Sequence, residues 1–430
     1  LNKKVEKGKT LLVDGPASVD IVSGTAEVFG AVLKEGRRVL IRSGKRLPFE
    51  AKTPLSLNVM MGEGASIEEV EGTTIPASWA EAYETVRVAE KPLSTIVILG
   101  AVDSGKTSLC TYLCNRLLSD KRRIAIIDGD LGQSDIGPPS TIGYAIVKKP
   151  LIDPFDLNAE RCCFVGFTTP SKARETVVQR LVEIKNELSE KPLDYVIINT
   201  DGWVEGKEAV EYKARLIEEV EADIIVGIQD DEVLAPILET VAPRKTVICE
   251  SPSFVKKRGR DERKLLRELC YKKYLKNAKV RSFPLSWVTV KGLPLSFVSN
   301  YHNVKQMRSL QRSLGVKIFH YEEKPDKAFV VIGRNKWINE EQISKFEKEC
   351  NKKLVILREG DEEGLLVALE NARKEFLGIG VIRGIDYRRK AIKLYTPVSD
   401  EISTIHVGKI VLDKNMKEIV SPSLISDYSF

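Results

Sequence analysis

Histidine is nearly absent: the 430-residue sequence holds three, His302, His320 and His406, all after residue 300. A proton-transfer base in the first 300 residues is therefore an aspartate, a glutamate or a lysine, unless a later segment folds back over the site. Cysteine occurs seven times but never as C-x-x-C, which argues against a zinc knuckle, and the odd count suits a reducing compartment. Cys110 and Cys114 are expected to be small buried core residues. No apolar run approaches about 18 residues, and the opening LNKKVEKGKTLLVDG has no apolar leader core. The expectation is a cytoplasmic protein without a membrane partner. No repeat or low-complexity tract stands out. The formal charge of +6 is spread over 67 basic and 61 acidic residues, so it permits a nucleic-acid partner without demanding one.

One stretch organises what is present: STIVILGAVDSGKT at 94–107. A β-branched strand at 95–99 runs into Gly100-Ala101-Val102-Asp103-Ser104-Gly105-Lys106-Thr107, which is G-x-x-x-x-G-K-T, followed by Ser108. The glycines let successive backbone N–H groups face one concavity, and the helix that opens here turns its positive end to the same anion. Lys106 adds a mobile charge for the β- and γ-phosphates, and Thr107 a hydroxyl for Mg²⁺. A nucleoside triphosphate is expected at this loop.

Residues 1–88 read as an N-terminal domain, with short strands at 10–13, 19–23, 26–29, 38–42, 56–60 and 66–71 and a helical connector at 76–93. Residues 89–281 alternate strands (95–99, 123–128, 162–167, 195–199, 224–228, 246–250) with helices (106–118, 171–190, 206–220, 232–241). Several of these strands are continuous apolar runs, as a sheet covered on both faces requires. Segment 251–280 is expected to be a lid on this domain. Residues 282–430 form a third domain, with strands at 328–332, 354–357, 379–386, 391–395 and 407–412 and helices near 340–350 and 363–376. The expected class is α/β: a P-loop NTPase-type doubly wound, mainly parallel sheet, an N-terminal β-sandwich-like domain and a C-terminal α+β or β-rich domain.

Three further stretches carry chemistry. The strand after the loop helix ends in Asp128-Gly129-Asp130-Leu131-Gly132-Gln133. Carboxylates there can approach Mg²⁺ and the γ-phosphate, and the second can accept a proton from an attacking hydroxyl. Asp130 is assigned as base or hydroxyl-orienting group and Asp128 as a metal, water or supporting partner. The alternative is that both only order Mg²⁺ through water. Gln133 can bond water or substrate. The next core strand ends in Asn199-Thr200-Asp201-Gly202-Trp203. Trp203 can pack over the loop lysine, stack on a base, or merely fill a domain interface. Last comes KKRGRDERKLLR at 256–267, where Arg263 and Arg267 share a helix face. Such arginines neutralise a transferring phosphoryl group, bind a nucleic-acid backbone, or line a solvated helix.

Together these stretches resemble the RNA 5′-hydroxyl polynucleotide kinase family, which takes in the kinase subunit of the pre-mRNA cleavage machinery, ribosomal-RNA-processing kinases and archaeal polyribonucleotide kinases. GAVDSGKTS (100–108), DGDLGQSD (128–135) with PPST (138–141), INTDGWVEG (198–206) and 258–267 carry the resemblance, with a weaker match in GTAEVFG (24–30). It implies ATP with Mg²⁺, Lys106 and Thr107 on phosphate and metal, Asp130 facing an RNA 5′-hydroxyl, and Asp128 auxiliary. It implies a clasp of Thr200, Gly202 and Trp203, and a lid of the form R-x-x-x-R. Arg263 and Arg267 satisfy that pattern, with Arg258 and Arg260 as rivals. The N-terminal module would enclose the adenine, with Lys45 as its candidate residue. The activity implied is γ-phosphoryl transfer to the 5′-end of single-stranded RNA, with DNA left open, within an RNA-processing complex. A non-catalytic ATP-binding scaffold is the alternative, and the intact Asp130 and paired arginines argue against it. A GTPase-type regulator would need N-K-x-D after the late strand, where the chain reads Gly227-Ile228-Gln229-Asp230.

Overall fold

The computed structural model describes residues 1–89, 91–295 and 303–419; His302 lies outside them. The chain divides into two compact units, Leu1–Arg267 and Glu268–Phe430.

The first unit begins with nine short strands: β1 (Asn2–Val5), β2 (Lys9–Asp14), β3 (Ala17–Ser23), β4 (Thr25–Val28), β5 (Ala31–Lys34), β6 (Arg38–Ile41), β7 (Arg46–Ala51), β8 (Leu55–Met61) and β9 (Ile67–Glu71). They form two antiparallel sheets, ordered β1-β8-β3-β6 and β5-β4-β7-β2-β9. The reason is legible in strands such as β5 and β6, whose residues alternate between buried and exposed. Helix α1 (Ala77–Arg87) then buries Trp79 completely, and the indole N–H donates to Glu250 O at 3.1 Å.

The central sheet comprises β10 (Ser94–Gly100), β11 (Ile124–Asp128), β12 (Thr141–Val147), β13 (Arg161–Phe164), β14 (Tyr195–Asn199), β15 (Ile224–Ile228) and β16 (Lys245–Cys249), in the order β13-β12-β11-β14-β10-β15-β16. Strands β11, β14, β10, β15 and β16 run parallel, while β12 and β13 are antiparallel additions. Every residue of β10, β11, β14 and β15 is buried. One face packs into a core shared with the N-terminal sheets and α2 (Lys106–Ser119), including Ile96, Leu109, Leu11 and Phe49. The other face packs under α3 (Arg174–Ser189), α4 (Lys207–Glu219) and α5 (Ala235–Thr240). The doubly wound, mainly parallel arrangement is the one expected. Its consequence is positional: the carboxyl ends of β10, β11 and β14 put the P-loop, Asp128 and Asn199 side by side along one edge.

Helix α6 (Arg260–Tyr274) follows β16 and carries the chain from the first unit into the second. In the second unit, β17 (Lys279–Pro284) and β18 (Thr289–Lys291) edge a larger sheet, and helix α7 (Asn303–Leu314) leads into a smaller one. The smaller sheet joins β19 (Ile318–Glu323), β20 (Lys327–Ile332) and β21 (Lys353–Arg358), with α8 (Glu340–Cys350) crossing between the last two. The larger sheet is completed by β22 (Leu365–Glu370), β23 (Phe376–Asp386), β24 (Ala391–Thr396), β25 (Thr404–Leu412) and β26 (Glu418–Ile419). Here one expectation is corrected: 363–376 is not a helix but strand β22 and a turn leading to β23. Leu365–Leu369 has good helix-forming residues, yet all five are fully buried between β23 and β25. A short apolar run of that kind gives no period by which sequence could tell strand from helix. Among the described residues no helix is long and apolar enough to cross a membrane.

Candidate active site

The P-loop leaves β10 at Gly100 and enters α2 through Gly105, at φ 101°, a conformation glycine adopts without strain. Gly100 is required for space, since a Cβ there would lie 2.5 Å from Ser104 Oγ and 2.9 Å from Ile228 O. Lys106 is buried, and its ammonium donates to Gly100 O (2.9 Å) and Ala101 O (2.6 Å). Burial pulls its pKa down to about 8, with the charge of Asp130 opposing the shift.

The two carboxylates of the DGD stretch are differently employed. Asp128 is committed at both oxygens: Oδ2 accepts from Asp135 N (2.6 Å), Ile136 N (3.0 Å) and Ser134 Oγ (3.4 Å), and Oδ1 from Asp130 N (3.3 Å) and Asn199 Nδ2 (3.3 Å). Burial, then the charges of Asp135 and Asp130, push its pKa up to about 7. Asp130 accepts from Gly132 N (3.0 Å) and Gln133 N (2.9 Å), both at Oδ1. Among the described residues nothing donates to its Oδ2. Burial raises its pKa and the neighbouring Lys106 charge restrains the rise.

Asn199 joins the loop to this pair, donating also to Thr107 Oγ1 at 3.4 Å. Its own Oδ1 is buried without a donor, and so are Ser104 Oγ and the Nε2 of Gln133 without partners. Buried polar atoms without partners are costly, and here they cluster at one sheet edge, where a phosphate and its cation would satisfy them. No group of three or more His, Cys, Asp or Glu among the described residues makes a metal cage. Thr107, Asp128 and Asn199 still fit Mg²⁺, which is held by few protein oxygens and completes its shell with phosphate and water.

The clasp segment is seated directly on the loop. Thr200 Oγ1 donates to Ile98 O at 2.7 Å, and a Cβ on Gly202 would lie 2.6–2.7 Å from atoms of Val102. Trp203 is half-buried rather than an open platform; it stacks on Tyr212 with centroids 5.8 Å apart. Beneath it, Asp201 accepts from Trp203 N, the Tyr212 hydroxyl and the ammonium of Lys213, all at 2.9 Å. Lys213 is fully buried and also donates to Asp201 O.

The lid and the N-terminal module meet the same loop. Arg258 N donates to Asp103 (2.9 Å), its Nε to Gly44 O (3.0 Å) and its guanidinium to Gln133 Oε1 (3.3 Å). Arg263 donates to Asp103 (3.3 Å) and Arg258 O (2.9 Å). The structure thus brings Arg258 and Arg263 to the P-loop. Arg260 is exposed at the start of α6, and Arg267 lies half-buried further along that helix. Lys45 is buried with its ammonium 3.4 Å from Asp153, a carboxylate that Arg42 also grips. Arg42 pairs with Asp135 as well, so the N-terminal module is tied to the segment that follows Asp130.

Sequence reasoning takes Asp103 only as a member of the nucleotide-binding loop and gives no individual role to Asn199, Lys213, Arg42 or Asp153. Lys213 alone leaves a signal, falling on the apolar stripe of α4 with Ala209, Tyr212, Leu216 and Ile217. The others are ordinary polar residues whose partners are distant in sequence.

Residues 100–277 match the family described as mRNA cleavage and polyadenylation factor CLP1 P-loop. The chain is 32% identical to the polyribonucleotide 5′-hydroxyl-kinase of Pyrococcus furiosus over 341 residues, covering 78% of this chain and 93% of that one. The corresponding protein of Methanocaldococcus jannaschii is 28% identical, covering 81% and 94%. The Bos taurus polyribonucleotide 5′-hydroxyl-kinase Clp1 is 25% identical over 60% of this chain and 64% of its own. Among solved structures, Clp1p in its complex with Pcf11p superposes with a TM-score of 0.67 at 13% identity, over 96% of this chain and 97% of that one. That likeness concerns the fold alone. With its phosphate loop, paired aspartates and Arg258 and Arg263 assembled at one sheet edge, the chain belongs to the polyribonucleotide 5′-hydroxyl-kinase family.

Proposed function

We propose that the protein transfers the γ-phosphoryl group of ATP to the 5′-hydroxyl of RNA, with the side chains of the P-loop edge in the following roles. The backbone of Gly100–Thr107 and the Lys106 ammonium hold the β- and γ-phosphates. Thr107 and Asp128, with Asn199 beside them, would hold Mg²⁺, which supplies positive charge to the phosphate oxygens. Asp130 Oδ2 takes the proton as the 5′-oxygen bonds to the γ-phosphorus and the bond to the β–γ bridging oxygen breaks, releasing ADP. Arg258 and Arg263, turned toward the loop, neutralise the group in transit, while Gln133 and the Thr200–Trp203 clasp fix acceptor and loop. Lys45 stands on the N-terminal side as a candidate for the adenine. A role inside an RNA-processing assembly belongs to the same reading.

The observation that carries it is the division of labour between the aspartates. Asp128 has both oxygens engaged in holding its loop. Asp130 keeps one oxygen uncommitted within the electrostatic reach of Lys106. A structural aspartate would not need that second oxygen; a proton acceptor does.

The test uses ATP labelled in the γ-phosphate, Mg²⁺ and 5′-hydroxyl RNA and DNA oligonucleotides. Wild type should label the RNA 5′-end. Asp130→Asn should lower kcat by about 10²–10⁴-fold with ATP binding retained, and Lys106→Ala should abolish transfer. ATP binding with no transfer to either polymer would replace the kinase by a nucleotide-binding scaffold.

A further inference from the structure

The second unit carries a cluster that phosphoryl transfer does not use. In its smaller sheet β20 and β21 run parallel and end together at Ile332 and Arg358, while β19 starts antiparallel to β20 at the same edge. The loop after β20 reads Gly333-Arg334-Asn335-Lys336-Trp337. Trp337 is 78% exposed, unusual for the residue type, and Arg358 lies 4.2 Å from its ring centroid. A cation on one face of a ring that exposed leaves the other face open. Phe319, half-buried at the start of β19, is flanked by Lys317 at 5.6 Å and Arg388 at 5.4 Å.

These groups form one surface. Lys336 Cγ and the Phe319 ring lie 3.4 and 3.8 Å from where a Cβ on Gly333 would stand. Lys336 O accepts from Arg358 Nε at 3.4 Å. Arg334 is neutralised by Glu363. The side chains of Lys317, Lys336, Arg358 and Arg388 form no ion pair among the described residues, while the backbone N–H groups of Arg358 and Arg388 donate to Asp361 (2.8 Å) and Asp386 (3.1 Å). Two aromatic rings interleaved with cations outside ion pairs are what a single strand of nucleic acid requires: flat faces for bases and charge for the backbone. An acidic polypeptide would use the cations and leave the rings without purpose.

We propose that this edge of the second unit is an additional single-stranded RNA contact, with bases stacking on Trp337 and Phe319 and phosphates on Lys336, Arg358 and Arg388. It rests on the RNA-kinase reading for its substrate. The test compares wild type, Trp337→Ala and Lys336→Ala/Arg358→Ala on 5′-hydroxyl RNAs of about four and about twenty nucleotides. Phosphorylation is followed for both RNAs. Fluorescence anisotropy reads binding of the labelled long RNA and, in parallel, of labelled poly-glutamate.

Both variants should raise KM for the long RNA about tenfold and leave kcat and KM for the short one at wild-type values. The double variant should also flatten the log–log salt dependence of long-RNA binding by about 1.4, because two phosphates are no longer neutralised by the protein. Wild-type KM and binding in both variants would overturn the proposal. So would weakened binding of poly-glutamate in the double variant with RNA binding intact. If wild type labels neither RNA, the kinase reading fails, and anisotropy still decides the RNA-binding edge: it stands if Trp337→Ala weakens binding and falls if it does not.

Discussion

Lys213 faces inward from α4 among Ala209, Tyr212, Leu216 and Ile217, and it is the one charged residue of that stripe. Burial drives its pKa down, while Asp201 opposes that by giving the ammonium its counter-charge. The pair holds the backbone from which Gly202 presses on Val102. Removing the cation strands a buried carboxylate, so Lys213→Met should cost about 3–5 kcal/mol of stability. It should also lower kcat about tenfold or more by loosening the clasp. Lys213→Met/Asp201→Asn removes both charges and should recover most of the stability but little of the rate. Urea midpoints and steady-state kinetics on the folded variants check this. Equal recovery of both quantities would make the pair a stability element alone. The inward position of Lys213 is readable from helical spacing; that Asp201 answers it is not.

Among the secondary-structure elements, the lid shows which arginines meet the loop. The family pattern nominates Arg263 and Arg267, but the segment before α6 adds Arg258, which spans Asp103, Gly44 and Gln133. Arg258→Ala and Arg263→Ala should each lower kcat by about 10²-fold or more. Arg260→Ala, exposed at the helix start, should change it by less than about threefold. If Arg267→Ala costs more than Arg258→Ala, the pairing with Asp103 is not what marks the working arginine. Single-turnover rates at saturating ATP separate these outcomes. Elements with strong signals are legible in the sequence, as β10, α2 and β14 show. β22 is not, because its Leu-Leu-Val-Ala-Leu run lacks the β-branched enrichment that marks the equally buried β10 and β14.

For the first unit as a whole, an ionic cluster supplements the apolar core that the N-terminal sheets share with the central sheet. Arg42 and Lys45 of the N-terminal sheets close on Asp153, and Arg42 also on Asp135. Although burial favours the neutral acid, Lys45 and Arg42 hold the Asp153 carboxyl below its ordinary value. A carboxyl depressed in the folded state contributes stability that is complete above its unfolded pKa of about 4 and is lost as pH falls through the folded value. Acidification below about pH 4 should therefore lower the urea midpoint of this unit. Asp153→Asn should flatten that dependence and cost about 3–5 kcal/mol at neutral pH, since Asp135 alone is left against two cations. An unchanged acid limb in Asp153→Asn would assign the loss to other carboxylates.

Linear order is enough to dictate the chemistry of the loop. Gly100, Gly105, Lys106 and Thr107 work through contiguous backbone, so their function follows from spacing along ten or so residues. Linear order dictates the parallel strands of the central sheet too, because β-branched apolar runs separated by helices have few other ways to bury themselves, whereas antiparallel β12 falls outside the expected strands. Which aspartate keeps an oxygen free of hydrogen bonds is decided only on folding, since Asp128 commits both of its oxygens to Ser134, Asp135, Ile136, Asp130 and Asn199. Folding likewise brings Arg258 and Arg263 to Asp103, and sets Trp337, Phe319 and their cations along one edge. These are pairings across distant parts of the chain, set by how sheets and helices stack, and a linear pattern holds no record of them.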